Sequence, residues 1–232
     1  FAKQQGIGIP TKDAFGKIVG IQIRKDNPSE KKKRYTWFSS SYAEYDDNDY
    51  IFGTPAGAPT HVATPKENNY PGVVFVTEGY FKAETLASTF GAYAISVSGV
   101  GNYRDIVEDL KAIEKKTGEK IEYIYVSYDA DMSSNIQVYN HAKNMVALIE
   151  EQFDTVEFFI SLWNESDGKG IDDLIHNGKK HTLKKVEFKV FERYYDKMLA
   201  KFEEKYEMLQ RVPKEVVLET YQKEVFSMVM AA

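Results

Sequence analysis

Residues 73–80 read Val73-Val74-Phe75-Val76-Thr77-Glu78-Gly79-Tyr80, an unbroken apolar run that ends on an acid and a glycine. A short run that is apolar at every position marks a strand buried on both faces, as in a parallel sheet. The same pattern returns at 93–97, 121–126 and 156–160. Between these runs the apolar period changes to that of a helix. The first helical stretch covers 81–90. The second covers 102–116, with Ile106, Leu110 and Ile113 on one face and a stop at Gly118. The third covers 134–153, with Val138, Ala142, Val146 and Ile149 on one face. Strand and helix alternating over short links predict a parallel, doubly wound α/β sheet flanked by helices.

Outward from this segment the pattern shifts on both sides. Residues 7–39 alternate with period two. Ile7 and Ile9 run into a polar turn at 12–16, and Val19, Ile21 and Ile23 follow, so a hairpin is expected, with a third strand at Tyr35-Thr36-Trp37-Phe38. Residues 40–71 are rich in Asp, Asn, Gly, Pro and Ser and read as a connecting excursion with short strand-like pieces at most. Towards the C-terminus Phe191, Tyr194, Met198, Phe202, Tyr206 and Leu209 recur at spacings of three and four. They predict a helix that packs on the sheet or on a partner, broken at Pro213, with a second helical stretch to about 229. A short strand around Val186 and Phe188 precedes it. The expected organisation is an N-terminal β-rich subdomain (1–71), an α/β domain (72–178) and a C-terminal helical extension (179–232).

Composition narrows the function classes. Of 232 residues, 43% are hydrophobic and 14% aromatic, enough for a sizeable core and too many for a disordered chain. Cysteine is absent, which removes disulfides, thiol nucleophiles and cysteine-ligated metal sites and fits a cytoplasmic, reducing setting. No run approaches the ~20 apolar residues of a membrane span. The 30 Lys and Arg against 35 Asp and Glu leave a net charge of −5, which argues against coating nucleic acid by bulk charge and leaves room for a local basic groove. The chain opens on Phe1, in mid-pattern, and is expected to be part of a longer protein.

In open parallel sheets, ligands lie beyond the carboxyl ends of the strands. The first strand delivers Thr77-Glu78-Gly79-Tyr80 there, the second Ser98-Gly99-Val100-Gly101, and the third Ser127-Tyr128-Asp129-Ala130-Asp131. The fourth delivers residues 164–173, ending Gly168-Lys169-Gly170-Ile171-Asp172-Asp173. Three of the four ends are rich in carboxylates. Unpaired acids converging at one edge repel and raise each other's pKa, and a hard cation with oxygen ligands, Mg²⁺ or Mn²⁺, relieves this. The bland alternative is a row of ordinary strand-end caps.

These residues resemble a known family. Val74-Phe75-Val76-Thr77-Glu78-Gly79-Tyr80 followed by Tyr128-Asp129-Ala130-Asp131 resembles the Toprim domain of bacterial replicative primases, topoisomerases and some nucleases, whose signature is Glu-Gly after the first strand and Asp-x-Asp after the third. Ile9-Pro10, Asp13, Gly16, Ile18, Gly20 and Arg24, then Arg34-Tyr35, look like the segment that precedes Toprim in the primase core. Residues 168–173 look like the closing acidic motif of Toprim-like domains in replication proteins of plasmids, phages and integrative elements. The resemblance covers residues 5–178. It implies Glu78, Asp129 and Asp131 as catalytic acids, with Glu78 near the reacting phosphate. It also implies Mg²⁺ or Mn²⁺ held by Glu78, Asp129 and Asp131, with Asp172 or Asp173 supporting a second ion. The implied activity is primase-like nucleotidyl transfer within a bacterial mobile-element replication protein. A nuclease using the same acids, or a non-catalytic DNA-docking module, is the alternative. Implied partners are single-stranded DNA or nucleotides and a helicase or other replication domain of the parent protein. One departure stands out: Met132-Ser133-Ser134-Asn135 occupies the stretch that is basic and glycine-containing in replicative primases.

Among the basic residues, Lys82 lies one turn past Glu78 and either reaches a phosphate or sits solvated on its helix, and Lys169 is the better phosphate candidate. Arg24, Lys32, Lys33 and Arg34, with Tyr35, Trp37 and Phe38 nearby, form either a solvated hairpin tip or a contact for single strands. The run Lys179, Lys180, His181, Lys184 and Lys185 has the same two readings. The four histidines show no ligand spacing and are assigned no chemistry.

Overall fold

The structure, a computed structural model, describes residues 5–27, 34–38 and 58–208. Lys32 and Lys33, and the helical stretch expected after Pro213, lie outside the described residues. Strands β1 (Gly6–Lys12), β2 (Ile18–Lys25) and β3 (Tyr35–Trp37) form a three-stranded antiparallel sheet in the order β1-β2-β3. Ile7, Ile9 and Thr11 share one face of β1, and that face is buried at Ile9 and Thr11 and open to solvent at Ile7.

A six-stranded sheet forms the core of the molecule. In chain order its elements are β4 (His61–Ala63), β5 (Val73–Glu78), α1 (Tyr80–Phe90), β6 (Tyr93–Val97), α2 (Ile106–Thr117), β7 (Tyr123–Val126), α3 (Ile136–Glu150), β8 (Glu157–Leu162), α4 (Ile171–His176), β9 (Lys184–Glu187) and α5 (Phe188–Met208). The strand order is β4-β6-β5-β7-β8-β9. The four inner strands are parallel, as their continuous apolar runs require, and β4 and β9 pair antiparallel at the two edges. The expected parallel sheet flanked by helices is therefore present, and it draws one edge strand from either side of the 72–178 stretch. Two helices start later than their apolar period suggested, α2 at Ile106 and α3 at Ile136. In α3 the Asn135 side chain accepts from the amides of Gln137 and Val138 and so fixes the first turn.

Two apolar layers cover the sheet. One holds Val74, Val76, Ile95 and Ile124 against α2, α3 and the Phe188, Phe191, Tyr195 and Met198 face of α5, so the tail helix packs onto the sheet. Tyr139 of α3 stacks on Tyr195 at 3.9 Å. The other holds Phe75 and Ala94 against Ala83, Leu86 and Ala87 of α1, and Ile171 and Leu174 of α4. The chain goes from β5 outward to β6 with α1 on one face, then returns past β5 to β7 with α2 on the other. The strand order thus reverses between β5 and β7, the position at which open α/β sheets form a ligand crevice.

Side-chain clasps fix the small sheet to the large one. Buried His61 of β4 accepts the Lys12 amide at Nδ1 (3.0 Å), which leaves its proton on Nε2, 3.1 Å from Glu84 Oε1. Its ring lies 4.3 Å from that of Tyr80. Lys116 Nζ donates to the carbonyl of Ala14 in the β1–β2 turn at 2.7 Å. A histidine without ligand spacing in the sequence is therefore structural here: it holds β1 beside the carboxyl end of β5.

Candidate active site

Glu78 ends β5, and Asp129 lies three residues beyond the end of β7, so the two acids flank the reversal point. Buried hydroxyls hold these strand ends in register. Thr77 Oγ1 donates to the Ser127 carbonyl and Ser127 Oγ to Ser161 Oγ, both at 2.7 Å. Gly79, with φ +93°, turns the chain sharply from β5 into α1, and its amide bonds Val97 O at 3.0 Å. The Ala130 amide donates to Lys169 O at 2.9 Å and ties the loop after β7 to the loop after β8. Trp163 Nε1, donating to Gly168 O at 2.7 Å, braces the second loop from below.

Glu78, Asp129 and Asp172, delivered by three different strand ends, line one cleft of about 250 Å³. Lys82, Tyr80, Phe81 and Ser98 line the same cleft, and Ile9, Gln22 and Tyr35 of the small sheet form its far wall. Tyr35 and Phe81 are exposed there, at 43% and 44%. The sequence did not single out Gln22 or pair Tyr35 with Phe81, and it placed Ser98 at this edge only as part of a two-glycine turn. Ser98 follows a strand signal of the large sheet, but Tyr35 opens a strand of the small one, and only the packing of one sheet on the other brings Tyr35 to the acids.

The remaining candidates stand apart from the cleft lining. Asp131 sits in the 3-10 turn Ala130–Ser133, near enough to raise the Glu78 pKa, but it does not line the cleft. Asp173 accepts the Gly170 amide at 3.2 Å and so caps the first turn of α4. Lys169 is 70% exposed, with Nζ 4.0 Å from Asp129 Oδ2. Arg24 and Arg34 are exposed on the small sheet and do not line the cleft.

The expectation of unpaired, mutually repelling acids needs correction at Asp129. Lys82 Nζ is ion-paired with Asp129 Oδ1, and each side chain is only 19% exposed. Lys82 is thus not a solvated helix lysine. Among the described residues, Glu78 has no such partner in contact. Burial lifts its carboxyl above the ordinary range, Lys82 and Lys169 pull it down, and Asp129 and Asp131 push it further up.

A divalent ion is what the resemblance implies at this edge. The donor chemistry fits: the three lining acids offer only oxygen, and Asp172 Oδ1 is buried without a hydrogen-bond partner. Among the described residues, however, no three His, Cys, Asp or Glu side chains are gathered into a group ready to hold a metal. The Lys82 ammonium supplies the positive charge at Asp129 instead.

Residues 66–182 match the family described as "Domain of unknown function (DUF3854)". A search of the curated proteins found no match. Among solved structures, the Aquifex aeolicus primase (zinc-binding and RNA polymerase domains) is 16% identical with a TM-score of 0.48, covering 96% of this chain and 54% of its own. The chain therefore spans about half the length of that structure. The DnaG catalytic core is 13% identical with a TM-score of 0.49, covering 97% of this chain and 70% of its own.

Proposed function

The chain belongs to the DUF3854 family of domains of unknown function, and from the chemistry of its cleft we propose that it carries a Toprim-like centre for Mg²⁺- or Mn²⁺-dependent nucleotidyl transfer on nucleic acid, primase-like in kind. The observation that carries this reading is the convergence of Glu78, Asp129 and Asp172 on one cleft at the point of strand-order reversal. The Glu-Gly and Asp-x-Asp signatures of the sequence supply the first two of these acids. In this reading Glu78, Asp129 and Asp172 hold the ion, with Asp131 and Asp173 as outlying acids. When bound, the ion would neutralise charge on the attacking and leaving oxygens of the reacting phosphate.

The chain's own residues do the rest. Glu78 faces the same cleft, where its carboxylate would help hold the ion and so orient an attacking hydroxyl. Lys82 and Lys169 approach the same edge from α1 and from the loop after β8, where they would meet phosphate oxygens. Tyr35 and Phe81, exposed on opposite walls, offer faces on which a base can stack. Arg24 and Arg34, exposed on the small sheet, are the proposed contact for a single-stranded template, and Lys32 and Lys33 join them on the sequence alone. Single-stranded DNA and nucleotides are thus the proposed ligands, and a replication protein of a mobile element, with a helicase or similar domain, the proposed context. No helix among the described residues is long and apolar enough to cross a membrane.

The test is synthesis on a single-stranded template with ribonucleotides or deoxyribonucleotides and Mg²⁺ or Mn²⁺, for the parent chain and for Glu78→Gln. The expected result is metal-dependent product that falls by about two orders of magnitude or more in the variant. Cleavage of the template in place of extension would identify a nuclease using the same acids. Strand binding with neither reaction would leave a docking module.

A further inference from the structure

Lys82 leaves the first turn of α1 and reaches Asp129 beyond β7 by running past Gly170. Gly170 leaves it room: a Cβ there would lie 2.7 Å from Lys82 Cε and 3.4 Å from Nζ, and would also collide with Asp172 Oδ1. The lysine stem and the unpartnered Asp172 oxygen therefore share the space over one glycine, and the ammonium ends on the carboxylate that faces Glu78 across the cleft. Within the cleft lining, Lys82 is the one basic side chain among three acids. Lys169, the next cation, is 4.0 Å from the other Asp129 oxygen and mostly in solvent.

An ammonium and a hard divalent ion compete for one carboxylate oxygen, because like charges at contact distance repel strongly at the dielectric of a partly buried site. Asp129 Oδ1 is thus available to a metal only after Lys82 has left it. Lysine suits such an exchange, since its charge is a compact point on a four-carbon stem that can swing into the open cleft. On the reading proposed above, we propose that Lys82 is a displaceable resident cation: it holds the acid cleft together in the metal-free protein and sets the threshold for divalent-ion binding by competing for Asp129. Gly170 is part of the device, since a side chain there would occupy the space through which the lysine moves.

The test uses the full chain and Mn²⁺ as probe, with affinity read by electron paramagnetic resonance and checked by the Mn²⁺-induced rise in melting temperature. Lys82→Met keeps most of the stem and removes the charge. It should bind Mn²⁺ about tenfold more tightly than the parent, with a larger thermal shift. Lys169→Met should change affinity no more than about twofold, since its pair is long and exposed. A second measurement needs no variant: amine-reactive labelling of Lys82, followed by mass spectrometry, should be slow in the metal-free chain and speed up as Mn²⁺ saturates. Equal or weaker Mn²⁺ affinity in Lys82→Met, or a Lys82 that stays protected at saturation, would overturn the competition while leaving the metal-site reading intact. Failure of the parent and of Lys82→Met alike to bind Mn²⁺ would overturn both.

Discussion

A carboxylate half out of water is stabilised or strained according to the charge nearest to it, and two acids of this chain fall on opposite sides of that line. Asp129 sits against Lys82 with both side chains mostly covered. Asp129→Asn removes one partner and leaves an ammonium buried beside a neutral amide, so the metal-free fold should lose about 1–2 kcal/mol in denaturant titrations. The same variant should lose most of any Mg²⁺-induced thermal shift. Asp109, in the first turn of α2, takes a hydrogen bond from Thr60, but burial lifts its pKa to about 6, and Asp105, Asp13 and Glu108 push in the same direction. A carboxyl whose folded pKa is raised favours the fold only while protonated. Its contribution is complete below about pH 4, its unfolded value, and is lost as pH rises through 6. Asp109→Asn keeps an acceptor for Thr60 and cannot ionise. It should flatten the fall in stability between pH 4 and 7 and gain about 1 kcal/mol at neutral pH, measured by melts across that range.

Among the elements, the junction of β5 and α1 carries the most constraint, because a strand must become a helix within one residue of the site. Gly79 does this at φ +93°, and among the described residues, its chain neighbours apart, nothing lies within 4 Å of where a Cβ would stand. The cost of Gly79→Ala is therefore torsional and not steric, about 1–2 kcal/mol by equilibrium unfolding. Any relaxation of that strain would swing Glu78 and Lys82 relative to Asp129, so Mn²⁺ affinity should fall together with stability. A stability loss with metal affinity intact would mean that the turn does not position the acids. The clasp from Lys12 through His61 to Glu84 acts on the other wall, since it holds the hairpin that presents Ile9 and Gln22 to the cleft.

At the scale of the molecule, the net charge of −5 sets the character of any nucleic-acid contact. Few phosphates can be neutralised by Arg24, Arg34, Lys169 and their neighbours, so single-strand affinity should be modest and should fall steeply between 50 and 200 mM salt. Reversing charge at Lys32, Lys33 and Arg34 together should weaken binding further and flatten the salt slope, as read by fluorescence anisotropy. An unchanged affinity and slope would remove the hairpin from the binding surface.

Local pattern was enough for the architecture because burial on both faces writes itself into consecutive residues. Val73–Val76 and the three later runs could only be inner strands, and the acids that follow them could only lie at the carboxyl edge. Glu78 and Asp129 were legible for that reason. β4 was not, since His61-Val62-Ala63 is too short to show a period and owes its place to pairing with β6. Asp172 and Asp173 are adjacent in sequence and alike in chemistry. Only the phase of α4, which begins at Ile171, puts one carboxylate in the cleft and turns the other back onto the Gly170 amide. The pairing of Lys82 with Asp129 spans 47 residues and depends on a helix side chain passing close over Gly170. Sequence spacing carries no record of such a contact, because charge acts through space and the distance is set only when the sheet has brought its strand ends together.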